Sequence, residues 1–239
     1  MIPKTINYCW FGRKPLPVEV KKSIKSWKKY CPEYKIIQWD ESNFDINCSE
    51  FVKAAYESEC WAFVSDYARL KIIYEYGGIY LDTDVELLKS LDELLVHPCY
   101  VGVQQSENLC ATGLGFGAVP YNNVVKKMLD VYDKICFEKN NKINLACPIL
   151  NTKVLEQEGY IFSEDILNLE ECVIYPPKYF DPYAPGADLK DLLCEDTISI
   201  HHYSASWMKP MDVLRRKTIR LVGQKRVSWV KKVIKYDRK

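Results

Sequence analysis

No stretch of this 239-residue chain approaches the roughly 20 consecutive apolar residues that a membrane-spanning helix needs. The opening MIPKTINYCWFG lacks the basic-then-apolar profile of a secretory signal, so a cytoplasmic protein is the expectation. Closely spaced cysteine pairs are missing as well: ten cysteines are scattered singly, with no CxxC. In a chain long enough to bury its own core, that pattern reads as buried or incidental thiols rather than a disulfide framework. Internal repeats, low-complexity segments and Pro- or Gly-rich linkers are absent too. With 48% hydrophobic residues, the expectation is one catalytic domain over residues 1–210, followed by a short tail.

The chain also lacks net charge, at +1, but that balance hides an asymmetry. Residues 211–239 hold 11 Lys and Arg against Asp212 and Asp237, while the remainder holds 22 basic and 30 acidic residues. Val227, Val230 and Ile234 recur there at helical spacing with Trp229 beside them. A basic amphipathic helix carrying an indole suits an anionic membrane surface over residues 215–239. Packing of that helix on its own domain with the charges outward is the competing reading. Nucleic acid is disfavoured, because the basic residues are confined to the tail and no recognition motif accompanies them.

What is present is alternation. TINYCWF (5–11) reads as an apolar strand, Val20, Ile24, Trp27 and Cys31 follow helical spacing up to Pro32, and YKIIQW (34–39) reads as a second strand. A long helical stretch over 49–76, broken near Cys60, ends at Gly77 and Gly78, where a helix terminus takes left-handed backbone. Ile79 to Leu81 form a third strand. YVGVQQ (100–105) and GLGFGAV (113–119) read as strands, 122–138 as a helix and TISIHHY (197–203) as a late strand. This order points to an α/β sheet whose ligands sit beyond the C-terminal strand ends.

Asp82 and Asp84 lie at such an end. In an extended segment, residues i and i+2 point to one side, so the two carboxylates can present oxygens to one point. Alone they repel and raise each other's pKa; a divalent cation reverses that penalty. Hard oxygen ligands favour Mn²⁺ or Mg²⁺ and leave positions for phosphate oxygens, although acid pairs also occur in plain solvated turns. On the preceding helix, Ser65 and Asp66 lie four and three residues before Arg69 and share its face. A structural Asp66–Arg69 ion pair is the simplest account of that spacing. The alternate glycines of TGLGFGA (112–118) do not open a helix as a dinucleotide fingerprint requires. Gly113, Gly115 and Gly117 would share one strand face, leaving room for a sugar or acceptor, or allowing a tight sheet crossing. CPILNT (147–152) is placed on the acceptor side.

The run SECWAFVSDYARLKIIYEYGGIYLDTDVELL resembles the sugar-binding region of glycosyltransferase family thirty-two, with its DXD motif. IPKTINYCWFG resembles that family's opening strand and IHHYSASW its closing motif, so the resemblance extends from residue 2 to residue 207. It implies a GT-A fold, a single Rossmann-like mixed sheet flanked by helices. It also implies a retaining hexosyltransferase that uses Mn²⁺ or Mg²⁺ and a nucleotide-diphosphate sugar, a UDP-sugar foremost, with a glycan or lipid-linked glycan of surface polysaccharide as acceptor.

By the same resemblance Trp10 stacks on the base. Asp66 and Arg69 contact the donor sugar or ribose with Ser65 in support, and Tyr80 and Asp82 face the ribose and metal. Asp84 is the firmest metal ligand, and Ser206 and Trp207 close over the diphosphate. His201 or His202 adds a metal or diphosphate contact; on a regular strand the two point to opposite sides, and His201 is preferred. Asn7 stands where the family often has histidine and receives no role. Two readings from other classes remain: a haloacid-dehalogenase-like phosphatase, and a catalytically silent nucleotide-sugar-binding protein.

Overall fold

The computed structural model describes residues 1–138, 144–184 and 190–203. Chain order runs β1 (Thr5–Cys9), α1 (Val18–Tyr30), β2 (Lys35–Trp39), α2 (Glu50–Glu57), α3 (Trp61–Tyr76), β3 (Gly78–Tyr80) and β4 (Val85–Leu87). It continues through β5 (Cys99–Val103), β6 (Cys110–Ala118), α4 (Asn123–Tyr132), α5 (Cys147–Gln157), β7 (Leu167–Asn168), β8 (Val173–Tyr175) and β9 (Ser199–His201). Seven strands form one sheet in the order β2-β1-β3-β6-β5-β8-β7, and β4 pairs with β9 in a second, two-stranded sheet.

Strands β2, β1 and β3 are parallel, as the alternation of strand and helix requires, whereas β6 runs antiparallel to both β3 and β5. The sheet is therefore mixed, and it is buried on both faces. Side chains of β1 alternate between the two cores: Ile6 and Tyr8 join Trp27, Leu81 and Leu94 on one face, while Cys9 packs with Phe51, Leu70 and Ile73 on the other. Asn7, also buried, ties three strands together. Its Oδ1 accepts the Trp39 indole N–H at 2.9 Å and its Nδ2 donates to the Ile79 carbonyl at 3.3 Å.

Helix ends follow from local chemistry. Ser49 Oγ accepts the Phe51 N–H at 3.2 Å to start α2, and Asn122 Oδ1 accepts from Val124 and Val125 to start α4. The expected break in the long helical stretch falls between α2 and α3, where Glu59 takes φ 54°; Gly77, at φ 66°, closes α3 as anticipated. The helix expected over 122–138 ends at Tyr132, and the strand expected from 113 begins at Cys110. Sequence reading had no element at β4, β7, β8 or α5.

Candidate functional site

Three chain segments leave the same edge of the sheet: Trp10 follows β1, Asp40 follows β2, and Leu81 to Asp84 follow β3. The acid pair does not sit on a continuing strand. After Tyr80 the chain turns, with the Asp82 N–H donating to the Gly113 carbonyl at 3.2 Å and the Val85 N–H to the Asp82 carbonyl at 3.0 Å. This corrects the extended geometry expected for Asp82 and Asp84. They converge because a turn folds them together, and each carboxylate then engages a different part of the protein.

Asp84 reaches β9. Its Oδ1 lies 3.1 Å from His201 Nε2, a contact set by the antiparallel register that places Val85 opposite His201. The His202 N–H donates to the Asp84 carbonyl at 3.0 Å, while its ring meets Glu86 Oε2 at 2.7 Å. The two histidines thus serve different partners, as strand alternation requires, and His201 is the one in the acidic corner. Ligand atoms of Asp82, Asp84 and His201 all lie within 4.8 Å of one another. Two hard carboxylates and an imidazole nitrogen, each partly open to solvent, suit Mn²⁺ or Mg²⁺. Burial alone would push the His201 pKa down, but Asp84, Asp82 and Asp181 overcome it and raise it to about 9.

Asp82 turns instead toward α3. Its Oδ1 accepts from Arg69 Nη2 at 3.0 Å and from the Tyr80 hydroxyl at 3.2 Å. The same Arg69 Nη2 lies 3.0 Å from Asp66 Oδ1, Nε donates to the Ser65 carbonyl at 3.2 Å, and the guanidinium stands 4.8 Å from the Tyr80 ring centre. Ser65 therefore supports Arg69 through its backbone. Burial raises the Asp66 pKa to about 6 against the pull of Arg69, and the Cys147 N–H at the start of α5 donates to the same carboxylate. Burial also opposes the charge on Arg69, yet the Asp82 and Asp66 carboxylates hold it protonated.

Gly113 makes this approach possible. A Cβ at that position would fall 2.1 Å from Asp82 Oδ2 and 2.8 Å from Arg69 Nη1. The room left by this glycine is filled by the protein's own ion pair, not by a sugar. At Gly117 it is filled by the Tyr100 ring and the Gly78 carbonyl, which favours the tight-crossing reading of the glycine run. Gly113→Ala is expected to displace Asp82 by about an ångström and to cost about 1–3 kcal/mol of stability. A denaturant melt checks this; a wild-type value would show that the carboxylate can move without consequence.

Trp10, partly buried, donates its indole N–H to the Lys14 carbonyl at 2.6 Å. That bond fixes the ring at the rim of a cavity of about 480 Å³, lined also by Arg13, Lys14, Gln38, Asp40 and Glu41. Glu41 Oε1 accepts the Gly12 N–H at 2.8 Å and locks the loop from below.

A buried polar cluster behind Asp66 was not anticipated. Asn151 Nδ2 donates to Thr112 Oγ1 and to Cys147 Sγ, each at 3.1 Å, and anchors the first turn of α5 beside Asp66. The sequence signal for it was Pro148 at the second helical position after Cys147, a start signal of the kind favoured in a first turn. Ser206 and Trp207, and the whole basic tail, lie outside the described residues.

Residues 17–101 match the model of the glycosyltransferase sugar-binding region containing the DXD motif. Inositol phosphoceramide mannosyltransferase 3 of Schizosaccharomyces pombe is 29% identical over 119 residues, covering 48% of this chain and 33% of that protein. An uncharacterized glycosyltransferase of Acanthamoeba polyphaga mimivirus is 30% identical over 104 residues, 40% of each chain. This chain thus spans between a third and two fifths of the length of these curated relatives. Among solved structures, the PaToxG glycosyltransferase superposes with a TM-score of 0.54 at 21% identity, over 66% of this chain and 70% of that one, a likeness of fold. In sequence over residues 17–101, and in fold over about two thirds of its length, this chain is similar to DXD-containing glycosyltransferases of the GT-A type.

Proposed function

We propose that this chain is a metal-dependent, retaining glycosyltransferase that moves a hexose from a nucleotide-diphosphate sugar, a UDP-sugar foremost, to a glycan or lipid-linked glycan. The proposed setting is surface polysaccharide synthesis, in the cytoplasm or at the inner face of the cell membrane. The observation that carries this reading is the convergence of Asp82, Asp84 and His201 beside the Arg69 ion-pair network, at the C-terminal edge of the sheet.

Asp84 and His201, with Asp82 behind them, would hold Mn²⁺ or Mg²⁺, which supplies positive charge next to a leaving diphosphate. Arg69 fixes Asp82 and Asp66 in place through Nη2, is itself held by Nε on the Ser65 carbonyl, and brings its positive charge beside the acid pair. Positive groups held rigidly where negative charge grows accelerate the step itself rather than only tightening binding. Asp66, largely buried beside Arg69, would accept from a sugar or ribose hydroxyl. No general base is assigned: in transfer with retention the acceptor proton passes to the departing phosphate oxygen on the same face.

Trp10 is proposed to stack on the base at the mouth of its cavity. Trp10→Ala should weaken nucleoside diphosphate binding roughly 10- to 100-fold by calorimetry; unchanged affinity would remove that role. The reading as a whole is tested by donor hydrolysis with metal-stripped protein. Release of nucleoside diphosphate from one of a panel of sugar nucleotides only when Mn²⁺ is restored supports it. Phosphate release from phosphomonoesters would indicate a phosphatase, and donor binding without turnover a silent binding protein.

A further inference from the structure

Helix α1 carries a charge pattern that the proposed chemistry does not use. Residues 13–29 contain Arg13, Lys14 and five helix lysines against a single acid, Glu19. At 3.6 residues per turn, Lys21, Lys22, Lys25, Lys28 and Lys29 span an arc of roughly 120°. Val20, Ser23 and Trp27 occupy the opposite side and are buried. Trp27 donates its indole N–H to the Val85 carbonyl at 2.8 Å, and Ser26 Oγ accepts the Leu87 N–H at 3.0 Å, so the helix is clamped to β4, the strand that follows the acid pair.

All five lysines are exposed, and none makes an ion pair among the described residues. Elsewhere exposed lysines do find acids: Lys4 meets Glu33 and Asp92, and Lys178 meets Asp196. In the middle of the lysine arc sits Val18, 62% exposed, at the end of the apolar lead-in Pro15, Leu16 and Pro17. Lys29 Nζ stands 4.4 Å from the ring centre of Tyr30, at the far end of the stripe.

We propose that this face of α1 docks the protein on the anionic surface of a lipid bilayer. The arrangement fits that partner because the charges form one convex stripe about 12 Å long on a rigid helix. Long lysine stems reach phosphates from a range of depths, while the exposed valine enters the headgroup layer. A nucleic-acid strand would call for several aromatic stacking surfaces or a groove along the charges, and Tyr30 at one end is the single aromatic ring beside these lysines among the described residues. These lysines are separate in sequence from the basic residues 215–239, and the proposal does not depend on the transfer reading. It would, however, hold the β4 side of the site close to a membrane-borne acceptor.

The test is co-sedimentation of the full chain with vesicles of phosphatidylcholine alone or with 30 mol% phosphatidylserine, at about 0.1 M salt. The wild type is expected in the pellet only with phosphatidylserine, and to leave it as salt rises. Replacing Lys21, Lys25 and Lys28 together by glutamine should lower the partition coefficient about 100-fold, near fivefold per lysine, with an unchanged melting temperature. Val18→Glu should weaken binding with the lysines intact. Equal sedimentation of the triple variant and wild type would overturn the proposal by assigning the attraction elsewhere. So would a wild type that ignores phosphatidylserine vesicles, including one that instead binds RNA or an acidic polysaccharide through these lysines.

Discussion

Asp84→Asn is expected to abolish metal-dependent turnover of the sugar donor, a loss of about 10³-fold or more, while the melting temperature moves by only a few degrees. The amide has nearly the shape of the carboxylate, and Asp84 sits on a turn whose backbone bonds involve the Asp82, Val85 and His202 main chain, so the fold has little reason to fail. What disappears is one of two negative charges in the corner and the partner that His201 meets at 3.1 Å. Asp82 alone offers less, since its Oδ1 is already shared by Arg69 and Tyr80. Donor hydrolysis and the metal retained after desalting would both be measured. Full activity in the variant removes the proposed mechanism.

Arg69→Met is expected to be costly in a different way. Methionine preserves the aliphatic stem but takes away the cation that Asp66 and Asp82 share, leaving two carboxylates in a low-dielectric pocket with side-chain exposures of 13% and 28%. Removing one partner of a buried pair typically costs 3–5 kcal/mol; the partial exposure of Asp82 favours the lower end, about 3 kcal/mol, or roughly 6–12 °C for a chain of this size. The deficit should depend on pH with a definite sign. Burial already raises Asp66 to about 6 despite Arg69, above the unfolded value, and without the guanidinium it rises further. A carboxyl whose folded pKa is raised opposes folding progressively as pH climbs through the interval between the unfolded and folded values. The variant should therefore lie closer to wild type at pH 5 than at pH 8 in parallel denaturant melts. A deficit of equal size at both values would mean that lost packing, not stranded charge, is responsible.

The placement of the site was legible because it follows from chain order. Alternating strands and helices put Trp10 and Asp82 just past parallel strand ends, and strand alternation separated His201 from His202. The reasons for convergence were less legible. Asp84 meets His201 through the β4–β9 pairing, two three-residue strands far apart in the sequence, and strands so short carry little periodic signal. Helix α5 was missed because the polar Asn151 stands in the middle of the buried face that Cys147, Leu150, Val154 and Leu155 form at helical spacing, which weakens its amphipathic signal. Strand β6 begins three residues before the expected strand, at Cys110, and its glycines serve close approach, Gly113 to Asp82 and Gly117 to Tyr100. Asn7, given no role, holds Trp39 and Ile79 across three strands, a function that only the register of β1 with both neighbours reveals.

The most direct measurement is anomalous diffraction from a crystal grown with Mn²⁺ and a nucleoside diphosphate. The expected map has a manganese peak within bonding distance of Asp84, with His201 and Asp82 around it and the diphosphate completing the coordination. A density map in which the nucleotide binds elsewhere, or in which manganese avoids this corner while Asp84 stays with His201, would contradict the account.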